Sequence, residues 1–513
     1  MFVRKLRNRS GSISVQAISK EGGRYRVVKS FGSASDPDTA AQLWLAAQTY
    51  VANPSGQVPL FSTLTKEDIA VKQFVESLGN LQVRTIGPEL IFGALFDRIG
   101  FYAIPEKLLR HIVIARLVYP TSKLKTVDYL YRYRGIRISD EAVYQFLDRL
   151  RRTYKDRVET IADEQTKRTL GGAMTVVFYD MTTLYFESED EDDLRKIGFS
   201  KDGKFQRPQI MLGLLVGRGG YPIGYDIFEG NTFEGHTLIP VLEKIHKKYG
   251  FKKPVVVADA ALLSKDNLQK LGEAKYRFII GARIKNETDA IKTEILTCAK
   301  GLKHGENLVI NKPDGVKLIL TYSDKRAHKD AHNRERGLRK LRARVKSGRL
   351  TKEHITNRGY NKFLTLEGKV AVTIDESKIT KDAEWDGLKG YVTNADLSAE
   401  EVVEHYGHLW QIEKAFRISK TDLRVRPIFH YRKRRIEAHI CIAFVAYAIY
   451  KELERLLADR HVGFSPKRAT ELTDNMYEIE YVLPHAKRKQ TTLLKMDPEQ
   501  QILYDTIYRI SKT

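Results

Sequence analysis

The chain has 513 residues, of which 42% are hydrophobic, and a formal charge of +23. That length allows about two to four domains with at least one sizeable core, and the hydrophobic share excludes a disordered polymer. The excess of positive charge points to a polyanionic partner, most often nucleic acid, while only two cysteines, Cys298 and Cys441, exclude a disulfide framework and a four-thiolate zinc site.

Residues 12–31 alternate in character around Glu21-Gly22-Gly23, which predicts a hairpin. A helix is expected from Pro37 to about Ala52, and "NPSGQVP" after it reads as a linker. From about Gly87 to Leu170 helical periods dominate. Two helices around Gly135, the second capped by Ser139, make a weak helix-turn-helix pattern and a candidate DNA-binding region.

The pattern changes after Gly171 and Gly172. "TVVFYD" predicts a strand ending at Asp180, and "PQIMLGLLVGRGGYPIGYDIFEGN" a hairpin turning at Gly219 and Gly220. A helix fits His236 to Tyr249. "PVVVADAALLSKDNLQKL" is a continuous apolar run, then Asp259, then a helix; such a run suits a strand covered on both faces. "YRFIIGAR" is expected to be the next strand. From about Lys285 to Lys389 short strand-like runs surround one basic helix. Twelve Lys or Arg stand against two Asp or Glu between Lys325 and Lys352, around a stripe of Leu338, Leu341 and Val345. So dense a run of like charge favours DNA contact over a solvated face.

"GLKGYVTNAD" predicts a strand leading to a helix, which Ser398 and Glu401 open as an S-x-x-E capping box. That helix carries "YGHLWQIEKAFRISK". Tyr406, Glu413 and Lys420 stand seven residues apart, so a continuous helix presents all three on one face, with Trp410 and Arg417 beside them. "RRIEAHICIAFVAYAIYKELERLL" follows as a long core helix. It is too short in its apolar part to span a bilayer. The N-terminus has no apolar signal segment. Both points, with the cysteine count, suggest a cytoplasmic protein with no membrane partner.

With 64 acidic residues, a catalytic set must be argued from placement. Asp180 and Asp259 close two strands, and Glu413 lies in a helix that can cross them. Three close carboxylates raise each other's pKa unless a cation sits among them, and hard oxygen ligands select Mg²⁺ or Mn²⁺. Two such ions serve phosphoryl transfer. The denser acidic run "ESEDEDD" (187–193) reads as a solvated loop. Tyr406, Lys420 and Arg417 are then placed to meet DNA phosphates, and Trp410 to pack or to face DNA.

At these residues the sequence resembles the DDE transposases of bacterial insertion sequences, in the branch with a Y…R…E…K signature. The likeness covers roughly residues 170–450, including "DMTTLYFES", "GFSKDGKFQRPQIMLGLLV" and "GNTFEGHTL". The family tyrosine, glutamate and lysine map onto Tyr406, Glu413 and Lys420, and its aspartates onto Asp180 and Asp259. The family arginine falls on Leu409, a departure that leaves Arg417 or His408 to substitute or the copy impaired. The resemblance implies an α/β, ribonuclease H-like mixed sheet flanked by helices and interrupted by a β-rich insertion; the N-terminal hairpin and the helical candidate DNA-binding region, read from the residues above, precede it. It implies two Mg²⁺ (or Mn²⁺) ions held by Asp180, Asp259 and Glu413, and double-stranded DNA (element ends and target) as partner. A homodimer on paired ends and a base-stabilising role for Trp385 follow from it too. The host would be a bacterial or archaeal cell and the protein nucleoid-associated.

The expected organisation is a hairpin and helix over 1–75, a helical region over 76–170, the catalytic core over 171–284 and 390–460, the insertion over 285–389, and a C-terminal region over 461–513. Three alternatives stay open from the sequence: a nuclease that cuts without joining, a DNA-binding protein with an impaired site, and a glycosidase with paired carboxylates, against which the charge and the Tyr–Glu–Lys helix argue.

Overall fold

Gly22 and Gly23 occupy a two-residue turn with φ of +55° and +82°, a geometry that only glycine adopts without strain. The turn joins β2 (Ile13–Glu21) to β3 (Arg24–Ala34), and β1 (Phe2–Arg7) adds to the far edge of β2. Val15, Ala17 and Ile18 of β2 are buried, as are Ala40 and Ala47 of the helix α1 (Pro37–Ala52) that packs on this sheet. A second helix, α2 (Lys66–Ser77), follows. The computed structural model describes residues 1–52, 66–172, 174–249, 254–262, 264–312, 315–348, 350–367, 371–482 and 488–508, so the expected linker "NPSGQVP" lies outside the described residues. Met1–Gly79 forms one compact unit, and Asn80–Val482 with Lys487–Thr513 forms another.

The second unit opens with the short β4 (Val83–Thr85) and five helices: α3 (Ala94–Ile99), α4 (Lys107–Val118), α5 (Lys123–Arg134), α6 (Asp140–Arg149) and α7 (Lys155–Thr169). Gly135 ends α5 in the left-handed conformation, φ +65°. The Ser139 hydroxyl accepts from the Ala142 N–H and caps α6, so the predicted helix pair around Gly135 is formed.

Next come β5 (Val176–Tyr185), β6 (Gln209–Gly217), β7 (Pro222–Glu229), α8 (Leu238–Tyr249), β8 (Val255–Ala258), α9 (Lys265–Glu273) and β9 (Arg277–Ala282). The region from Lys285 to Lys389 supplies α10 (Asp289–Ala299), β10 (Asn307–Asn311), β11 (Lys317–Tyr322), α11 (Asp324–Lys346), β12 (Leu364–Glu367), β13 (Ala371–Ile374) and α12 (Glu376–Ala383). The chain continues through β14 (Leu388–Thr393), α13 (Ala399–Gly407), α14 (Trp410–Arg417), α15 (Lys433–Asp459), α16 (Pro466–Thr473), β15 (Tyr477–Val482), β16 (Lys489–Leu493) and α17 (Pro498–Tyr508).

Eight strands make one sheet in the order β10-β11-β14-β9-β8-β5-β6-β7. β5, β8 and β9 run parallel, while β6 and β7 on one side and β14, β11 and β10 on the other are antiparallel. Helices cover both faces, the mixed α/β architecture that the sequence led us to expect. The two faces follow from the period of two along each strand. Val177, Tyr179, Met181, Val256, Ala258 and Phe278 point to one face, with α8, α9 and α10 against it. Phe178, Val257 and Ile279 point to the other, whose core continues into α4, α6 and the buried length of α15.

Three expectations change in detail. Among the described residues the stretch 285–389 holds three α-helices beside its four strands, and two of those strands, β10 and β11, extend the central sheet. β5 does not stop at Asp180, because "MTTLY" keeps the strand alternation and goes on pairing with β6 through Tyr185. The helix opened by the Ser398–Glu401 capping box is not continuous. It breaks at His408–Leu409, where the amides of His408, Leu409, Gln411 and Ile412 all bond three residues back rather than four.

Candidate active site

Strand parity aims Asp180 and Asp259 at the same side of the sheet. Asp180 is two residues after Phe178, and Asp259 two after Val257, on the face that receives α13 and α14. Tyr179 pairs with Ala258, the last pair across parallel β5 and β8, so Asp180, one residue further along β5, and Asp259, the first residue after β8, both follow that pair. β8 ends there while β5 runs on, so both acids stand at the carboxyl end of β8, the place where ligands gather in open α/β sheets. α13 packs over β8, β9 and β14, and α14 over β5 and β6. Val402, Tyr406, Leu409, Ile412 and Phe416 anchor the two helices to this core.

The carboxylates have unequal settings. Asp180 is mostly buried, and burial pushes its pKa up to about 6; Lys201 and the Met181 N–H work against that rise, Glu234 and Asp259 with it. The Met181 N–H donates to Asp180 Oδ1 at 2.7 Å. The Lys201 ammonium lies 3.7 Å from the same oxygen, 2.8 Å from Glu234 Oε1, and donates to the Met181 carbonyl at 2.6 Å. Asp259 is exposed; its Oδ1 accepts from the Ala260 N–H at 2.6 Å and from the Tyr406 hydroxyl at 3.3 Å. Glu413 is exposed on α14. Lys389, on β14, joins the two halves electrostatically. Burial lowers its pKa, and Asp259 and Glu413 both oppose that, while its ammonium sits 4.5 Å over the Tyr406 ring. Among the described residues no three His, Cys, Asp or Glu side chains come close enough together to hold one ion. The three carboxylates therefore share a region without closing on a point, as expected of like charges.

Residues 171–449 match the transposase DDE domain family. The chain belongs to that family. No curated protein matches the sequence of this transposase. Among solved structures, a piggyBac transposase in a synaptic complex with hairpin DNA is similar at a TM-score of 0.39 and 9% identity, over 75% of this chain and 76% of its own.

The transposase places its signature helix residues differently from a single helical face. Tyr406 is 7% exposed and turned to Asp259, in a space that exists because residue 281 is glycine: a Cβ there would lie 2.5 Å from the phenol oxygen. Lys420 stands in a turn of π-helix after α14, and its ammonium is held by Asp202 at 3.1 and 3.2 Å. Arg426 reaches the same carboxylate at 2.5 Å. Leu409, at the family arginine's position, is buried in the core. Arg417 is exposed. Trp410 is 53% exposed and sits beneath the Lys414 ammonium at 5.8 Å, in a cleft with Tyr221 and Lys451. Trp385 is half-buried and lines a cavity of about 640 Å³ with Arg326, Arg334, Tyr360 and Lys389, so it shares Lys389 with the carboxylates.

Sequence reasoning named no role for Lys201, Asp202, Glu234, Lys389 or Arg426. Lys201, Asp202 and Glu234 lie inside the quoted runs "GFSKDGKFQRPQIMLGLLV" and "GNTFEGHTL", which was the available signal. Lys389 and Arg426 carried none, since only the β14 pairing and the chain reversal after α14 bring them in.

Proposed function

We propose that this transposase cleaves DNA at the ends of its element and joins them to a target by phosphoryl transfer, with Asp180, Asp259 and Glu413 as the divalent-ion ligands. The observation that carries the proposal is that Asp180 and Asp259 both follow the last β5–β8 pair, Tyr179 with Ala258, close enough for the Asp259 charge to act on Asp180. The donor set fits Mg²⁺ or Mn²⁺, because it is all carboxylate oxygen and includes a buried carboxyl group with a raised pKa that a cation would relieve. When bound, two such ions supply charge neutralisation and a more acidic hydroxyl for attack on the phosphate.

The chain's own residues then do the positioning. Tyr406 fixes Asp259 through its hydroxyl, so its part is to orient a ligand rather than to bind phosphate. Lys389, Lys420 and Arg417 offer cations to the strand, and the Trp385 cavity and Trp410 offer aromatic surface beside it. The basic α11, with Leu338 and Leu341 buried beneath it, extends that surface. Double-stranded DNA, a homodimer on paired ends and a cytoplasmic, nucleoid-associated setting belong to the same proposal. Leu409 favours one competing account, a DNA-binding protein whose site is impaired. Incubation with labelled element ends and Mg²⁺ separates the accounts: joined product supports transposition, cleavage alone a nuclease, and binding alone an impaired site.

A further inference from the structure

A second cluster of cations lies apart from the carboxylates, around a cavity of about 610 Å³. Arg116 of α4, Lys123 and Lys125 at the start of α5, Arg424 and Arg426 after α14, and His439 of α15 line it. Among the described residues no Asp or Glu lines it. Arg116 and Lys123 are each 5% exposed, and His439 is 6% exposed. Among the described residues the Lys123 ammonium and His439 Nδ1 have no hydrogen-bond partner. His439 Nε2 is 2.9 Å from the Val425 carbonyl, and Arg116 spends one N–H on the Arg424 carbonyl at 3.5 Å.

A buried cation without an opposite charge costs several kcal/mol, and an arginine cannot escape that cost by losing its proton. Burial, with Arg116 adding to it, drives the Lys123 pKa well down. The N-terminus of the twelve-residue α5 adds its partial positive charge to the same space. Arg116, which keeps its charge, and the α5 N-terminus both select an anion, and an anion beside the unpartnered Lys123 would restore that side chain's charge. We propose that this cavity is a phosphate-binding site, filled either by a backbone phosphate of DNA or by a free phosphate ion. The site stands on its own lining and does not depend on the catalytic proposal. Arg426 connects the two places, because the carboxylate that it pairs with, Asp202, also holds Lys420.

The test compares the full-length protein with Lys123→Met, which keeps the chain's bulk, and with Arg424→Gln at the exposed rim. Two measurements are made: the thermal midpoint with inorganic phosphate against chloride of equal ionic strength, and DNA affinity against salt. If free phosphate fills the cavity, phosphate raises the wild-type midpoint beyond chloride, and both variants lose that rise while binding DNA as before. If DNA fills it, both variants bind DNA more weakly, and the slope of log K against log salt becomes shallower by about 0.9 for the lost contact. A phosphate effect that persists in both variants, or no phosphate effect together with unchanged DNA affinity and slope, overturns the proposal.

Discussion

The Tyr406 hydroxyl donates to Asp259 Oδ1 at 3.3 Å, and the same phenol oxygen would lie 2.5 Å from a Cβ on residue 281. Tyr406, Asp259 and Gly281 thus form one unit. Tyr406→Phe removes a hydrogen bond to a carboxylate, about 1.5–3 kcal/mol, and should slow strand cleavage roughly ten- to a hundredfold. Gly281→Ala should be as harmful alone, since it displaces the phenol. In the Tyr406→Phe background the next obstacles are at 3.2 Å, so Gly281→Ala should cost much less there. A double-mutant cycle on cleavage rate checks this, and additive losses would contradict it.

Lys201 supplies the positive charge between Asp180 and Glu234. It competes with any added cation for those carboxylates. Lys201→Met is expected to tighten Mn²⁺ binding, measured by calorimetry, and to make the thermal midpoint depend more strongly on Mn²⁺. Weaker Mn²⁺ binding in the variant would mean that the lysine chiefly holds Asp180 in place.

Burial raises the Asp180 pKa from 3.8 to about 6. The folded chain therefore keeps a proton that the unfolded chain has lost, and stability falls as pH climbs from about 4 to 6. Two pKa units correspond to about 3 kcal/mol at most. Asp180→Asn should remove that slope and raise metal-free stability at neutral pH. Denaturant unfolding at about pH 3.5 and about pH 7.5, on either side of that window and with chelator present, tests it; a variant less stable than the wild type on the neutral side would contradict it.

Asp202 ties Lys420 and Arg426 together from the turn that also carries Lys201. Asp202→Asn should release Lys420 and reduce cleavage about as far as Lys420→Ala does. The double variant should be no worse than either single one. Full additivity would place the two residues in separate roles.

Much of this was legible in sequence because it is local. The Ser398–Glu401 box, the Ser139 cap and the Gly22–Gly23 turn are encoded within a few residues. The break at His408–Leu409 was only weakly legible: no proline marks it, and Gly407, where α13 ends, is its one local sign. The seven-residue spacing predicted one face, yet Tyr406 went inward and Lys420 went to Asp202, because partners far along the chain decided both. The cation cluster around Lys123 was invisible for the same reason, since its members come from three separate stretches.

The central claim is that Asp180, Asp259 and Glu413 act as one ion-binding set in strand transfer. Its most direct test is the yield of joined product from labelled element ends with Mg²⁺ or Mn²⁺, in the wild type and in Asp180→Ala, Asp259→Ala and Glu413→Ala. The account predicts that each variant binds DNA near wild-type affinity and forms no cleaved or joined product. Cleavage near the wild-type rate in any one of the three would contradict it.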